Sequence, residues 1–366
     1  MNHPLKVLIV DDTLLYRKLI ADALVSVKDI SVVGMAQDGK MGLQMIADLQ
    51  PDVMTLDVEM PVMNGLQVLD ELKRINSPVG TIMVSSATTR GSELTMKALE
   101  KGAFHFITKP SGGNYDLNLE SLRANLIPLL RVYVQRKQLK SLEGRLVPTS
   151  EPSPSVTAPP CKPSVWPKKS AGDFRPQLLL IGISIGGPNA LAEMLPKIPA
   201  NLGIPILIVQ HMPEHFTRLL AARLDECCEI QVKEAEHGEE IKPNVAYLAP
   251  GGKQMRLIGR AGSRLIEITD DPPENNYKPA VDYLFRSVSA NFPGCSLAVI
   301  MTGMGADGTE GLKLLRKSCS YVIAQDQASC VVFGMPKTAI EAGMVDAVVS
   351  LNEIAPQIIK VVQGKS

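Results

Sequence analysis

Ser184 lies at the centre of Gly182-Ile183-Ser184-Ile185-Gly186, after an apolar run over 178–183 and before a helix-like stretch over 189–195. That spacing suits a nucleophile elbow, where glycines permit a tight strand-to-helix turn that exposes a serine hydroxyl. Backbone N–H groups at the start of the following helix would then face a developing oxyanion. An ordinary Gly-rich turn, including one that cradles a phosphate, fits this short segment about as well. Two more polar residues follow apolar, strand-like runs: His211 after 204–210 and Asp307 after 296–301. A serine, an imidazole and a carboxylate are the groups acyl transfer requires. Serine attacks a carbonyl, histidine moves the proton, and the carboxylate fixes the imidazole tautomer and stabilises its cation. The order Ser, His, Asp differs from the Ser, Asp, His order of ordinary α/β-hydrolases, which are a poor fit.

His215 also lies close enough to serve as the base, but it falls in the next helical segment, so His211 is the better placed of the two. His105 and His237 read as structural or solvated. Gly303-x-Gly305-x-x-Gly308 also matches a dinucleotide fingerprint, with Asp326 ending the next strand. An NAD site is therefore a rival reading of the second half. Against it, little sheet remains after this motif, and Ser184 and His211 would have no purpose. A non-catalytic binding module is a further rival.

The first half carries a different chemistry. Asp11 and Asp12 follow the first strand-like run, Asp57 the third, Ser85 the fourth and Lys109 the fifth. Three carboxylates converging on one sheet edge repel one another unless a cation neutralises them. A hard divalent ion such as Mg²⁺, held by oxygen donors, would supply that charge. It would prepare Asp57 to attack a phosphoryl group, with Ser85 and Lys109 contacting the phosphoryl oxygens.

The elements that must position these groups alternate. Strand-like runs at 6–10, 32–36, 53–56, 81–84 and 104–108 are separated by helical spacing at 15–25, 40–49, 66–75 and 92–100. This βαβ repetition predicts a parallel sheet with right-handed crossovers, whose ligands bind at the carboxyl ends of the strands. A helix over 116–142 follows, with Pro128 as a kink and Gly144 at its end. From 148 to 176 the composition turns to Pro, Ser and Lys and predicts an extended linker containing Trp166, the only tryptophan. Such a tether spans about 30 Å and keeps its two ends at millimolar effective concentration. The second half reads as buried strands at 178–183, 204–210, 296–301 and 321–324. Its helices are expected at 216–224, 281–288 and 310–317, and 245–248, 254–257 and 264–268 as a small antiparallel insertion.

Composition narrows the classes. The 366 residues suggest two domains. Lys+Arg 38 balances Asp+Glu 38, so no bulk charge draws the chain to nucleic acid or anionic lipid. No stretch approaches the roughly 18 apolar residues of a membrane span, and the apolar start at 5–10 runs into Asp11-Asp12 rather than a signal-peptide cleavage site. The six cysteines are scattered without a C-x-x-C pair, which fits a reducing cytoplasm better than a disulfide or zinc framework.

As a set, Asp11-Asp12, Asp57, Ser85 and Lys109-Pro110 resemble a response-regulator receiver domain over about residues 4–125. The resemblance implies a flavodoxin-like five-stranded parallel sheet, Mg²⁺-dependent phosphoryl transfer from a histidine kinase to Asp57, and Phe106 as the aromatic switch. The second half is similar to the chemotaxis protein-glutamate methylesterases over about 177–360. The likeness rests on Gly-Ile-Ser-Ile-Gly-Gly, Gln210-His211-Met212-Pro213, Ala249-Pro250-Gly251, 302–308 and 328–336. It implies a Ser184-His211-Asp307 triad with its oxyanion region at Ile185 and Met304 and no cofactor for the esterase step. It also implies hydrolysis of glutamate methyl esters, and deamidation of glutamines, on cytoplasmic chemoreceptor helices, without membrane insertion. Ile185 departs from the small or hydroxyl residue usual in that family, which leaves only a backbone donor at this position. The unphosphorylated receiver is expected to block the catalytic face. The fold class expected is α/β: the receiver (1–125), a helical extension and linker (126–176), and a doubly wound catalytic domain (177–363). The last has a mostly parallel sheet and a small antiparallel insertion.

Overall fold

The computed structural model describes residues 4–86, 88–143, 174–260, 263–292, 294 and 296–364. The helix end expected at Gly144, Trp166 and the stretch from 148 to 173 lie outside them. The chain divides into two compact units, 1–150 and 151–366.

In the first unit, β1 (Leu5–Val10), β2 (Ile30–Ala36), β3 (Val53–Asp57), β4 (Gly80–Ser85) and β5 (His105–Thr108) form one parallel sheet in the order β2-β1-β3-β4-β5. Val7 to Val10 and Val53 to Leu56 are almost wholly enclosed, because helices cover both faces of such a sheet. The helices are α1 (Leu14–Leu24), α2 (Gly39–Leu49), α3 (Gly65–Arg74), α4 (Thr89–Glu100) and α5 (Tyr115–Glu143). Side-chain caps open α2, α3 and α4. Asp38 accepts from Met41 N–H, Thr88 from Gly91 N–H, and Asn64 with Gln67 forms a reciprocal capping box. Strand order reverses between β1 and β3, so the first and third strand ends open onto one crevice.

The second unit is built on a seven-stranded sheet of order β14-β13-β12-β6-β7-β9-β8 in which every neighbouring pair is parallel. Its strands are β6 (Leu178–Ile183), β7 (Ile206–Gln210), β8 (Gln231–Glu234), β9 (Val245–Leu248), β12 (Ser296–Ile300), β13 (Ser320–Gln325) and β14 (Ala347–Val349). A separate antiparallel hairpin joins β10 (Gln254–Arg260) to β11 (Ser263–Thr269). The hairpin accounts for two of the three segments read as an antiparallel insertion. The third, 245–248, is corrected: it is β9, parallel to β7 and buried at all four residues. Around the sheet lie α6 (Gly187–Met194), α7 (Phe216–Cys227), α8 (Val281–Asn291), α9 (Thr309–Lys317), α10 (Met335–Glu341) and α11 (Leu351–Gln363). The described end of the Pro-rich stretch, 174–176, is not free chain: Phe174 is buried, its ring centroid 6.0 Å from that of Tyr321. Among the described residues no helix is long and apolar enough to cross a membrane.

One ion pair fastens α9, and with it the loop before α9, to the sheet. Arg316 Nη1 and Nη2 donate to Asp346 Oδ2 and Oδ1 at 2.7 and 2.8 Å, and Val322 N–H donates to Asp346 Oδ2 at 2.8 Å. The two side chains are only 3% and 5% exposed. Removing one partner strands the other charge inside the protein. Asp346→Ala is therefore expected to lose about 3–5 kcal/mol in denaturant unfolding of this unit. A loss below about 1 kcal/mol, as for an exposed pair, would contradict this account.

Candidate active site

Ser184 follows β6 and His211 follows the neighbouring β7. The register pairs Ile183 with Gln210, and His211 N–H donates to Ile183 C=O at 3.1 Å, so the two residues stand side by side at the sheet edge. The elbow holding Ser184 is tied on three sides. Ser184 N–H donates to Thr302 C=O (2.9 Å), while Ser184 C=O accepts from Gly187 N–H (2.8 Å) and from the buried amide of Gln210 (2.9 Å). Gly186 turns the chain with φ +79°, a region an L side chain rarely adopts, and a Cβ there would meet the Val331 side chain at 2.5 Å.

Asp307 lies in the loop from β12 to α9, at the N-terminus of α8. Its Oδ2 is 2.7 Å from His211 Nε2 and accepts Val281 N–H at 2.7 Å, while Oδ1 accepts Asp282 N–H at 2.9 Å. Burial pushes the Asp307 carboxyl up, but the His211 hydrogen bond, the imidazole charge and the two backbone donors outweigh it, and the net shift is downward. Asp282, next to it, behaves oppositely. Burial and the charge of Asp307 push its carboxyl up to about 7, against the N–H of Gly311 that lowers it. Of these two close acids, Asp307 is the one that keeps its charge near neutrality.

The imidazole is thus held through Nε2, and Nδ1 is buried without a hydrogen-bond partner among the described residues. One ring face lies on Tyr277, centroids 3.7 Å apart and planes 10° from parallel. Burial, then the charge of Asp307, raises the Tyr277 phenol, so it stays protonated. His215, the rival base, is exposed and precedes α7 in the left-handed region at φ +72° rather than lying within the helix. His105 is pushed down to about 4 by burial, and the His237 ring bonds the Ile268 backbone.

Beside Ser184 runs the loop 302–306. A Cβ on Gly303 would come within 2.7 Å of Ser184 Cβ, so only glycine lets this loop approach. Thr302 anchors it: Oγ1 donates to Ile185 C=O (2.8 Å) and accepts Val332 N–H (3.0 Å), and Thr302 N–H donates to Gln325 Oε1 (2.9 Å). Gly303 and Phe333 form a parallel bridge. The 328–336 stretch therefore serves to clamp this loop. Among the described residues, the N–H groups of Ile185 and Met304 donate to no protein acceptor. Of the glycines that match a dinucleotide fingerprint, Gly303 serves this close approach, while Gly305 and Gly308 turn the chain at φ +85° and +95°; Asp326 is engaged by Ser329 N–H and Oγ in its own turn.

In the first unit, Asp57 and Asp11 are buried and Asp12 is exposed, with carboxylate oxygens within 4.8 Å of one another. Three hard oxygen donors with one side open to solvent fit a small divalent cation. Lys109 Nζ lies 2.7 Å from Asp57 Oδ2 and 2.8 Å from Asp11 Oδ2. Burial pushes Asp57 up to about 6 against the lowering charge of Lys109. Ser85 lies at the end of β4, but its hydroxyl donates to Gly91 C=O (3.1 Å) and to Ser86 C=O (3.3 Å). Phe106 is buried, its ring centroid 5.5 Å from that of His105. Sequence reasoning missed Tyr277, which stands in a loop outside any motif, and Tyr16, whose ring lies under Lys109 Nζ at 4.6 Å; Tyr16 shares the buried face of α1 with Leu19, Ile20, Ala23 and Leu24, so its spacing reads as packing.

A family model described as CheB methylesterase matches residues 179–358, and one described as response regulator receiver domain matches 7–117. A protein-glutamate methylesterase/protein-glutamine glutaminase of Desulfotalea psychrophila is 49% identical, over 98% of this chain and 99% of its own. One of Halalkalibacterium halodurans is 46% identical over 98% and 99%. The crystal structure of the Thermotoga maritima CheB methylesterase catalytic domain superposes with a TM-score of 0.50 at 42% identity, covering 51% of this chain and 99% of that one. With a receiver fold ahead of a serine-bearing parallel sheet and relatives matched end to end, the chain belongs to the protein-glutamate methylesterase/protein-glutamine glutaminase family.

Proposed function

We propose that this protein hydrolyses glutamate methyl esters, and deamidates glutamines, on the cytoplasmic helices of chemoreceptors, under control of phosphorylation at Asp57. The observation that carries the reading is the His211–Asp307 contact of 2.7 Å, on the strand end next to Ser184, with the other imidazole nitrogen free. Asp307 accepts Nε2–H and so leaves the Nδ1 lone pair as base. Ser184 Oγ attacks the side-chain carbonyl as its proton passes to Nδ1. The tetrahedral oxyanion is received by the backbone N–H groups of Ile185 and Met304, each worth about 2.7–4 kcal/mol of barrier in comparable sites. Collapse expels methanol, or ammonia from glutamine, with the proton returned by His211. Water then attacks the acyl-serine, again through His211, and frees glutamate and Ser184. The nitrogen roles are exchanged relative to the serine-protease arrangement, in which Nδ1 faces the aspartate. The chemistry is unaffected, because one nitrogen still holds the proton and the other the lone pair.

In the receiver, Asp11, Asp12 and Asp57 would hold Mg²⁺, which when bound neutralises the phosphoryl charge. Asp57 is the phosphoryl acceptor for a histidine kinase. Lys109 and Ser85 contact the transferred oxygens, and Ser85 would have to release its bond to Gly91 to do so. Phe106 follows as the switch. We assign 1–125 to the receiver, 126–176 to the extension and linker and 177–363 to the catalytic domain. The unphosphorylated receiver restrains catalysis by an intramolecular contact, for which a short tether demands little affinity. The protein works in the cytoplasm, where kinase and receptor tails meet, and needs no nucleic acid or membrane insertion.

Methanol release from methylated receptor tests the chemistry. Ser184→Ala should lower it at least about 10³-fold in a folded protein; retained release would remove Ser184 as nucleophile. Asp307→Asn turns an amide N–H₂ toward a backbone donor that the carboxylate now accepts. It should cut kcat about 10³–10⁴-fold with little change in KM, and a fall under tenfold would argue against the triad. Regulation is read in the full chain: a small-molecule phosphodonor with Mg²⁺ should raise methanol release. Chelation of the metal, or Asp57→Asn, should each abolish the rise. Stimulation that persists in Asp57→Asn would exclude this route.

A further inference from the structure

We propose that Tyr277 is a positioning residue for acyl transfer: its ring fixes the plane of the His211 imidazole so that Nδ1 faces Ser184 while Nε2 stays on Asp307. The inference rests on the reading of His211 as the base. A single hydrogen bond at 2.7 Å fixes one point of the ring but not its plane, because the torsion joining an imidazole to Cβ is broad. The missing constraint is supplied by the aromatic face 3.7 Å away and 10° from parallel. With that face in place, tilting the imidazole off its plane drives one edge into the phenol. The same face also favours the cation that His211 becomes when it takes the serine proton.

Tyr277 is itself held by the backbone. Its N–H donates to Glu274 C=O (2.8 Å), and its C=O accepts Glu274 N–H (3.0 Å) and the amide of Gln254 (3.2 Å). Gln254 is fully buried, and its Oε1 accepts Ala280 N–H at 2.9 Å. Residues 274–280 are thereby pinned to the hairpin strand β10 and lead directly into Val281 and Asp282, whose N–H groups hold Asp307. One short segment thus carries the backing of the imidazole and the donors of its carboxylate. The phenol oxygen lies 3.7 Å from where a Cβ on Gly305 would be, so the ring also borders the loop bearing Met304. A side chain that merely filled space would need bulk but no flat face.

The test separates flatness from bulk. In methanol release by the full-length enzyme, Tyr277→Phe should keep kcat within about threefold. Tyr277→Leu should lower kcat at least about tenfold with KM within about threefold. Wild-type kcat in Tyr277→Leu overturns the proposal, as does an equal fall in both variants or a loss confined to KM. A second measurement uses the unmodified protein. The His211 ring-proton signals, assigned by their disappearance in His211→Gln, should be displaced upfield by the stacked ring, and undisplaced signals overturn the proposal whether or not the leucine variant folds. Methanol release retained in His211→Gln overturns both the base assignment and the positioning role. An inactive His211→Gln beside a fully active Tyr277→Leu overturns the positioning role alone.

Discussion

A carboxylate with no exposed side-chain surface stays ionised only where donors replace the water it has lost, and Asp307 has three. Two are backbone N–H groups at the start of α8, where the helix dipole also favours negative charge. The third is His211 Nε2. That arrangement decides the rest of the site. In the proposed mechanism it commits Nε2 to the proton and leaves Nδ1, which has no hydrogen-bond partner among the described residues, as the lone pair. The neighbouring Asp282 accepts the cost of two close acids, its carboxyl pushed up to about 7 while that of Asp307 is held down.

Parallel-sheet topology makes such a constellation assemble from distant sequence. β6, β7 and β12 are adjacent and co-directional, so their carboxyl ends share an edge. The receiver uses the same geometry for a different task. Asp11, Asp57, Ser85 and Lys109 follow or end strands of one sheet. Lys109 lies against two of the buried acids, which partly offsets the burial that raises Asp57.

Much of this was legible in the sequence because buried parallel strands read as unbroken apolar runs: 178–183, 204–210 and 296–301 each contain a central strand and lead to a site residue. What escaped has a physical reason. β8, Gln231–Glu234, is an edge strand with mixed exposure and two charged residues, so its pattern carries no strong period. β9 was recognisable as a strand, but its partner was not, since four residues do not encode which edge they join. Tyr277 stands in a polar loop with left-handed Asn275 and Asn276, where one aromatic ring gives no periodic signal. Its role appears only once the loop is folded over His211. Ser85 was legible as the end of a strand. Its present bond to Gly91 depends on the local turn, which residue spacing does not reveal.

The most direct test of the account is the tautomer of His211. Long-range ¹H–¹⁵N correlation on the ¹⁵N-histidine-labelled full-length protein, with His211 assigned by substitution, distinguishes the two ring nitrogens. The account requires the neutral imidazole to carry its proton on Nε2 and its lone pair on Nδ1. A proton found on Nδ1 with Nε2 bare would place an unprotonated nitrogen against the Asp307 carboxylate and remove the base from Ser184, contradicting it.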